Sequence, residues 1–207
     1  MTVVSPADRQ VDTRSLRRSP LAHRAVEFEA RGADGLRGVR LAEEPFRTQV
    51  DLRVPAGSPA VARVQHALGL ALPRPGQVTG DAERAALRLG DDEWLLVAPD
   101  GLADEVLTAA RGALADAPGS TVDVSASRTA LRLSGRMARE VLEKVCPLDL
   151  HPRAFGPGRC ARTAVGRTQA VLWQVGPEPA YRLLVPCSFA GYLADLLLDA
   201  MTEFTGR

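Results

Sequence analysis

Cysteine, histidine and the carboxylates are the residues of this chain that could do chemistry. The cysteines are Cys146, Cys160 and Cys187. An odd, sparse set without a CxxC spacing makes neither a disulfide framework nor a zinc site. The histidine nearest in sequence is His151, five residues after Cys146, and a Cys–His nucleophile pair needs a proximity that spacing alone does not supply. Cys146 closes an apolar helix pattern and Cys187 follows an apolar strand pattern, so both read as core residues. His23, His66 and His151 lie far apart and lack metal-ligand spacing. His66 reads as a packed or exposed helix residue, and His151-Pro152 as a loop at the surface. Asp91-Asp92-Glu93 is an acidic cluster at a hairpin tip, where a turn is the ordinary explanation. Gly156-Pro157-Gly158 is no phosphate cradle, because neither GxGxxG nor GxxxxGK follows a strand. These residues assign the chain no catalytic, cofactor-binding or metal site.

Composition narrows the classes further. The chain has 207 residues, 45% apolar and 25% charged, which are ordinary globular values. A formal net charge of +1 creates no global field toward nucleic acid or a membrane surface. Aromatic residues make up 4%, leaving few platforms on which bases could stack. The positive charge is nearly all arginine; the only lysine is Lys144. No apolar run is long enough to span a bilayer, and the first residues lack the apolar core of a signal peptide. A reducing cytoplasm is the expected setting.

The elements that would position these residues follow from periodicity. Residues 1–45 mix alternating charges (Asp8, Arg9, Asp12, Arg14, Arg17, Arg18) with Gly32, Gly35 and Gly38. They read as an extended N-terminal arm, either free or docked on a partner through apolar side chains such as Leu21, Val26 and Phe28. From Phe46 to Val54 apolar and polar residues alternate, the pattern of a half-buried strand. Ser58-Pro59 then caps a helix that ends near Gly69. Arg84–Leu89 and Trp94–Ala98 read as a hairpin around Gly90-Asp91-Asp92. A helix after Asp100-Gly101 carries Val106, Leu107, Ala110 and Leu114 on one side. The second half repeats the theme. Thr121–Leu133 reads as one extended stretch, followed by a helix bearing Met137, Val141 and Leu142. After a second Pro/Gly loop, Thr163–Val175 reads as a strand and Tyr181–Val185 as another. Ser188–Phe204 reads as a strongly apolar final helix.

Strand, helix, Pro-rich loop, strand, strand, helix therefore occurs twice. Leu70–Gly76 matches Leu148–Gly158, and Trp94–Pro99 matches Tyr181–Pro186. The expected fold is α+β, two tandem ferredoxin-like repeats of β-α-β-β-α-β type over residues 46–119 and 120–207, preceded by the arm at 1–45. A unit of this kind leaves one sheet face bare unless a second unit covers it.

One run supports a family resemblance. Asp123-Val124-Ser125, an apolar strand to Gly135, a helix and then Asp149-Leu150 are similar to a signature of the aminomethyltransferase (glycine-cleavage T-protein) superfamily. Over nearly its full length the chain resembles a shorter branch of it, the gamma-subunit family of heterotetrameric sarcosine oxidases. The residues behind this are Arg18–His23, Gly90–Val97, Asp123–Gly135 and Leu184–Leu193.

The resemblance implies an aminomethyltransferase-like fold and a small non-catalytic assembly subunit. In that family the complex turns sarcosine, oxygen and tetrahydrofolate into glycine, hydrogen peroxide and 5,10-methylenetetrahydrofolate. FAD, FMN, NAD and tetrahydrofolate are then expected in partner subunits. The large alpha subunit would be the main contact, with beta and delta subunits also present. Folate-using members carry an acid in a hairpin after the second Pro/Gly loop, but Arg159–Trp173 contains no Asp, Glu or Asn. That departure argues against folate chemistry here. The Arg residues of this segment either meet an acidic partner or are solvated. The alternative is a free-standing folate-binding or aminomethyl-transferring protein, for which Asp123 would be the acid between the repeats, the ordinary role of an Asp at the start of a strand being a turn or cap. A third reading is the small subunit of a related N-methyl-amino-acid dehydrogenase.

Overall fold

The computed structural model describes residues 16–205. A 3-10 turn (Ala22–Arg24) leads into helix α1 (Ala25–Ala30), and strand β1 (Arg40–Glu44) follows. The first unit follows: β2 (Thr48–Arg53), α2 (Ala60–Leu68), β3 (Val78–Gly80), β4 (Ala85–Arg88), β5 (Glu93–Ala98), α3 (Ala103–Leu114) and β6 (Ser120–Asp123). The second comprises β7 (Arg128–Ser134), α4 (Ala138–Glu143), β8 (Cys160–Val165), β9 (Thr168–Gln174), β10 (Ala180–Pro186) and α5 (Ala190–Thr205). Local chemistry places the boundaries. The Ser58 hydroxyl accepts the Ala60 N–H at 3.2 Å and starts α2. Gly69 ends α2 with φ +61°, a left-handed conformation that glycine adopts without a Cβ clash.

The strands form two five-stranded sheets, in the orders β3-β4-β5-β2-β6 and β8-β9-β10-β7-β1. Every pairing is antiparallel. The orders correspond position by position. In the first unit the first strand, β2, lies between the last two, β5 and β6, which is the split β-α-β arrangement of a ferredoxin-like fold. The place that β6 holds in the first sheet is taken in the second by β1, from the segment before the first unit. The sheets therefore cut across sequence divisions at residues 45 and 119: β1 precedes its sheet by a whole unit, and β6 closes the first. Residues 16–45 accordingly do more than extend. Leu21, Phe28, Val39 and Leu41 are buried in the core under the second sheet.

Two stretches read as single strands are each divided. Thr121–Leu133 contributes β6 to one sheet and β7 to the other. The break lies at Val124–Ser127, where the Asp123 carboxylate accepts the Ser125 N–H at 2.9 Å and the Ser127 N–H bonds to the Val124 carbonyl at 2.9 Å. Asp side chains bond their own backbone two residues on, and here that turn overrides the apolar pattern. Thr163–Val175 holds the end of β8, a turn at Gly166-Arg167 and β9, which pair as a hairpin. Gly166 has φ +57°, as a tight turn requires, and its missing Cβ makes room for Tyr192 and Leu196.

Three apolar layers hold this together. The helix-side face of the first sheet (Val50, Leu52, Trp94, Leu96) packs on α2 and α3 through Val64, Val106 and Leu114. That of the second sheet (Leu131, Leu133, Leu183, Val185) packs on α4 and α5 through Val141, Leu142, Leu193 and Leu197. The two inner faces then pack on each other: Ala85, Leu87, Leu95 and Val97 against Ala130, Val171, Trp173 and Leu184. Strands covered on both faces read as continuous apolar runs, which explains Leu95-Leu96-Val97 and Leu183-Leu184-Val185. At one end of the seam the two Pro/Gly loops bond reciprocally. The Val78 N–H donates to the Gly158 carbonyl at 2.8 Å, and the Cys160 N–H to the Gly76 carbonyl at 3.1 Å. Gly76 and Gly158 have matching φ values of +72° and +77°.

The shared layer predicts coupled unfolding. Leu184→Ala should cost about 2–5 kcal/mol, the range for emptying a buried leucine site. Chemical denaturation followed by tryptophan fluorescence and circular dichroism should still show one transition. Two separated transitions in the native chain would show that the seam does not couple the units.

Candidate functional site

The residues singled out for chemistry do not converge. His23, His66 and His151 are all exposed, on a 3-10 turn, on α2 and in the loop after α4. His151 is engaged locally: its Nδ1 accepts the Arg153 N–H at 3.3 Å. The thiols meet weak acceptors rather than a base. Cys146 Sγ lies 4.0 Å from the Thr163 hydroxyl. Cys160 Sγ donates to the Gln77 carbonyl at 3.4 Å, and burial pushes its pKa up to about 12, so it carries no thiolate at neutral pH. Cys187 corrects the core reading. It is half-buried at the end of β10 and opens on a surface groove, with Sγ donating to the Ala126 carbonyl at 3.4 Å. Its apolar strand ends one residue too early to bury it. Among the described residues, no three of His, Cys, Asp and Glu come together as a metal site.

Asp123, the candidate acid between the repeats, does not enter the packed seam between the two sheets. It pairs with Val50, whose side chain points to the helix layer, so Asp123 shares that face. It is exposed, lines a groove at the head of α3, and bonds the Ser125 hydroxyl at 2.5 Å. It is a turn residue. The acid that does face the seam is Asp51, one position along from Val50 on β2 and opposite Leu95 on the inner face. Its sequence neighbourhood, an alternating Gln49-Val50-Asp51-Leu52-Arg53, looks like a solvated strand face. Only the packing of the second sheet reveals it.

The seam end at Asp51 is held by charge. Glu93 accepts Arg162 from β8 and Arg53 from β2, the latter at 3.3 Å. One arginine of the 159–173 segment therefore meets an acid of this same chain, across the two units. Asp51 sits beside this network. Burial pushes its carboxyl above the ordinary range, the like charge of Glu93 adds to this, and Arg53, Arg128 and Arg162 oppose it. A carboxyl whose folded pKa exceeds its unfolded one holds its proton more tightly when folded. Stability then falls as pH rises through that window, and the charged form is a cost at neutral pH. Asp51→Asn should accordingly raise Tm near neutral pH, with the gain fading as acidification protonates the carboxyl. Thermal melts across that range check this; a lower neutral-pH Tm for the variant would mean that the arginines use the charge.

Farther along the seam, Arg182 of β10 is fully buried. Its guanidinium lies 4.7 Å from the centroid of the Trp173 ring. Nε donates to Glu44 of β1 at 2.5 Å, and Nη1 to the Ala82 carbonyl of the first unit at 2.9 Å. Glu44 also meets Arg132 at 3.4 Å and Arg47 at 3.8 Å. Burial lowers the Arg182 pKa and the Glu44 contact opposes that shift. Sequence reading passed over both, because Glu43-Glu44 looks like a surface run and Arg182 interrupts an apolar strand without a nearby partner. Between these two charged ends the seam is filled: Leu87, Leu95, Val97, Val171, Trp173 and Leu184 are each at most 3% exposed. The described seam does not fit a folate, and the β8–β9 hairpin supplies no acid to serve one.

Comparison with known proteins agrees with this geometry. Residues 53–203 match the model of the sarcosine oxidase, gamma subunit family. A sarcosine oxidase subunit gamma of Corynebacterium sp. (strain U-96) is 42% identical over 200 residues, covering 96% of each chain. One from Arthrobacter sp. is 43% identical over 198 residues, covering 94% of each. Among solved structures, a chain of the heterotetrameric sarcosine oxidase from Corynebacterium sp. U-96, in complex with pyrrole 2-carboxylate, superposes with a TM-score of 0.87 at 42% identity. That match covers 93% of this chain and 98% of that one. The glycine cleavage system aminomethyltransferase T from Bartonella henselae superposes with a TM-score of 0.59 at 17% identity, over 84% of this chain and 48% of that one, a likeness of fold alone. Among the described residues, no helix is long and apolar enough to cross a membrane. With its doubled ferredoxin-like units and full-length relatives, the chain belongs to the sarcosine oxidase gamma subunit family.

Proposed function

We propose that this chain is the non-catalytic gamma subunit of a heterotetrameric sarcosine oxidase, acting in assembly. The complex would convert sarcosine, oxygen and tetrahydrofolate to glycine, hydrogen peroxide and 5,10-methylenetetrahydrofolate. FAD, FMN, NAD and the folate would be held by the alpha, beta and delta subunits, the large alpha subunit being the main contact. The observation that carries this reading is the TM-score of 0.87 over 93% of the chain to a chain of such a complex. The filled seam and the acid-free β8–β9 hairpin support placing the folate elsewhere. Three unbridged cysteines are in keeping with a reducing cytoplasm.

The test is co-expression with the remaining subunits. The chain should co-purify in equal proportion with a flavin-containing large subunit, and the assembly should oxidise sarcosine. The isolated chain should show no tetrahydrofolate binding by calorimetry. Folate binding by the isolated chain would favour a free-standing folate protein, and failure to associate with the flavoprotein would sink the subunit reading.

A further inference from the structure

The segment that enters α1 crosses an open cleft, and its contacts divide into an anchor and a latch. The anchor is Ser19, whose hydroxyl donates to Glu43 Oε2 at 2.5 Å while Thr129 donates to the other oxygen at 2.6 Å. Leu21, 1% exposed, follows it into the core. The latch is Arg17. Its guanidinium forks onto Asp100 at 3.0 and 2.8 Å, just before α3, and lies 4.0 Å over the ring of Phe46. Phe46 has φ +59°, a conformation that a bulky side chain keeps only where its surroundings hold it. Two grooves, of about 580 and 470 Å³, share Arg17, Arg18, Ser19 and Phe46 as a common wall. One is mainly apolar, with Leu21, Ala25 and Phe28; the other holds Thr48, Asp123 and Cys187.

We propose that Leu16–Arg18 is a releasable strap. When Arg17 leaves Asp100 and Phe46, the segment swings about Ser19-Pro20, joins the two grooves into one cleft and uncovers Cys187. The latch is an ion pair with side chains 34% and 50% exposed, so water competes for it, whereas the anchor is tied to the core. The strap thus controls access to a cleft between the first unit's α3 and the second unit's β7 and β10.

Cys187 provides the readout, because the other two thiols are buried. The full chain is reacted with Ellman's reagent at one fixed pH and ionic strength, and Cys187→Ser identifies the phase that belongs to this thiol. Arg17→Ala and Asp100→Asn should each speed that phase at least about threefold, with Arg17→Lys in between. Charge alone would act oppositely in the two variants, since removing a cation raises a thiol pKa and removing an anion lowers it. Acceleration in both therefore reports access. Unchanged rates in both, or shifts of opposite sign, overturn the proposal. The count of reactive thiols must stay at one; where Arg17→Ala also exposes Cys146 or Cys160, Asp100→Asn decides by the same criterion.

Discussion

Each sheet of this protein is apolar on both faces, and one layer of short helices covers only one of them. That constraint organises the molecule. Leu87, Leu95 and Val97 have no helix over them; they are buried because Val171, Trp173 and Leu184 lie opposite. Burial of this apolar area is the dominant favourable contribution, and it is available only when both units are present and in register. The reciprocal bonds between the Gly76 and Gly158 loops fix that register at one end of the seam, and the charges around Glu93 and Arg182 fix its edges.

The strand exchange strengthens the same dependence. β1 precedes the first unit in sequence but completes the second unit's sheet, with Glu44 reaching the buried Arg182. An unpaired buried guanidinium would be costly, so Glu44 and the Ala82 carbonyl, one from each side of the seam, make its burial tolerable. The second sheet is thus incomplete without the leading segment, and that segment has no sheet of its own to join. A chain wired in this way folds as one body with its leading segment attached.

The same packing bears on the absence of a convergent site. A folate site between the two ferredoxin-like units would need open space at the seam. Here large apolar side chains fill it, and its charged groups are spent on one another. Among the described residues, grooves stay open at the periphery, two of them beside Arg17 and Phe46 where the leading segment crosses from one unit to the other.

Local chemistry made much of this legible in the sequence. Ser58 and Gly69 bound α2, the apolar stripe marks α3, the long apolar run marks α5, and the two similar halves point to two ferredoxin-like units. All of these depend on neighbours within a few residues, which is why periodicity finds them. The break at Val124–Ser127 and the turn at Gly166 were also local, but an apolar pattern on both sides concealed them. Other features lay beyond sequence. Asp51 and Asp123 sit on neighbouring strands of one sheet, yet face the seam and the helix layer respectively, because strand pairing decides the face and a shift of one residue reverses it. The Arg182–Glu44 contact and the Arg17 latch join residues 138 and 83 positions apart, and β1 pairs with β7 across a whole intervening unit. No periodicity encodes such pairs; only the packing of one sheet on the other brings them together.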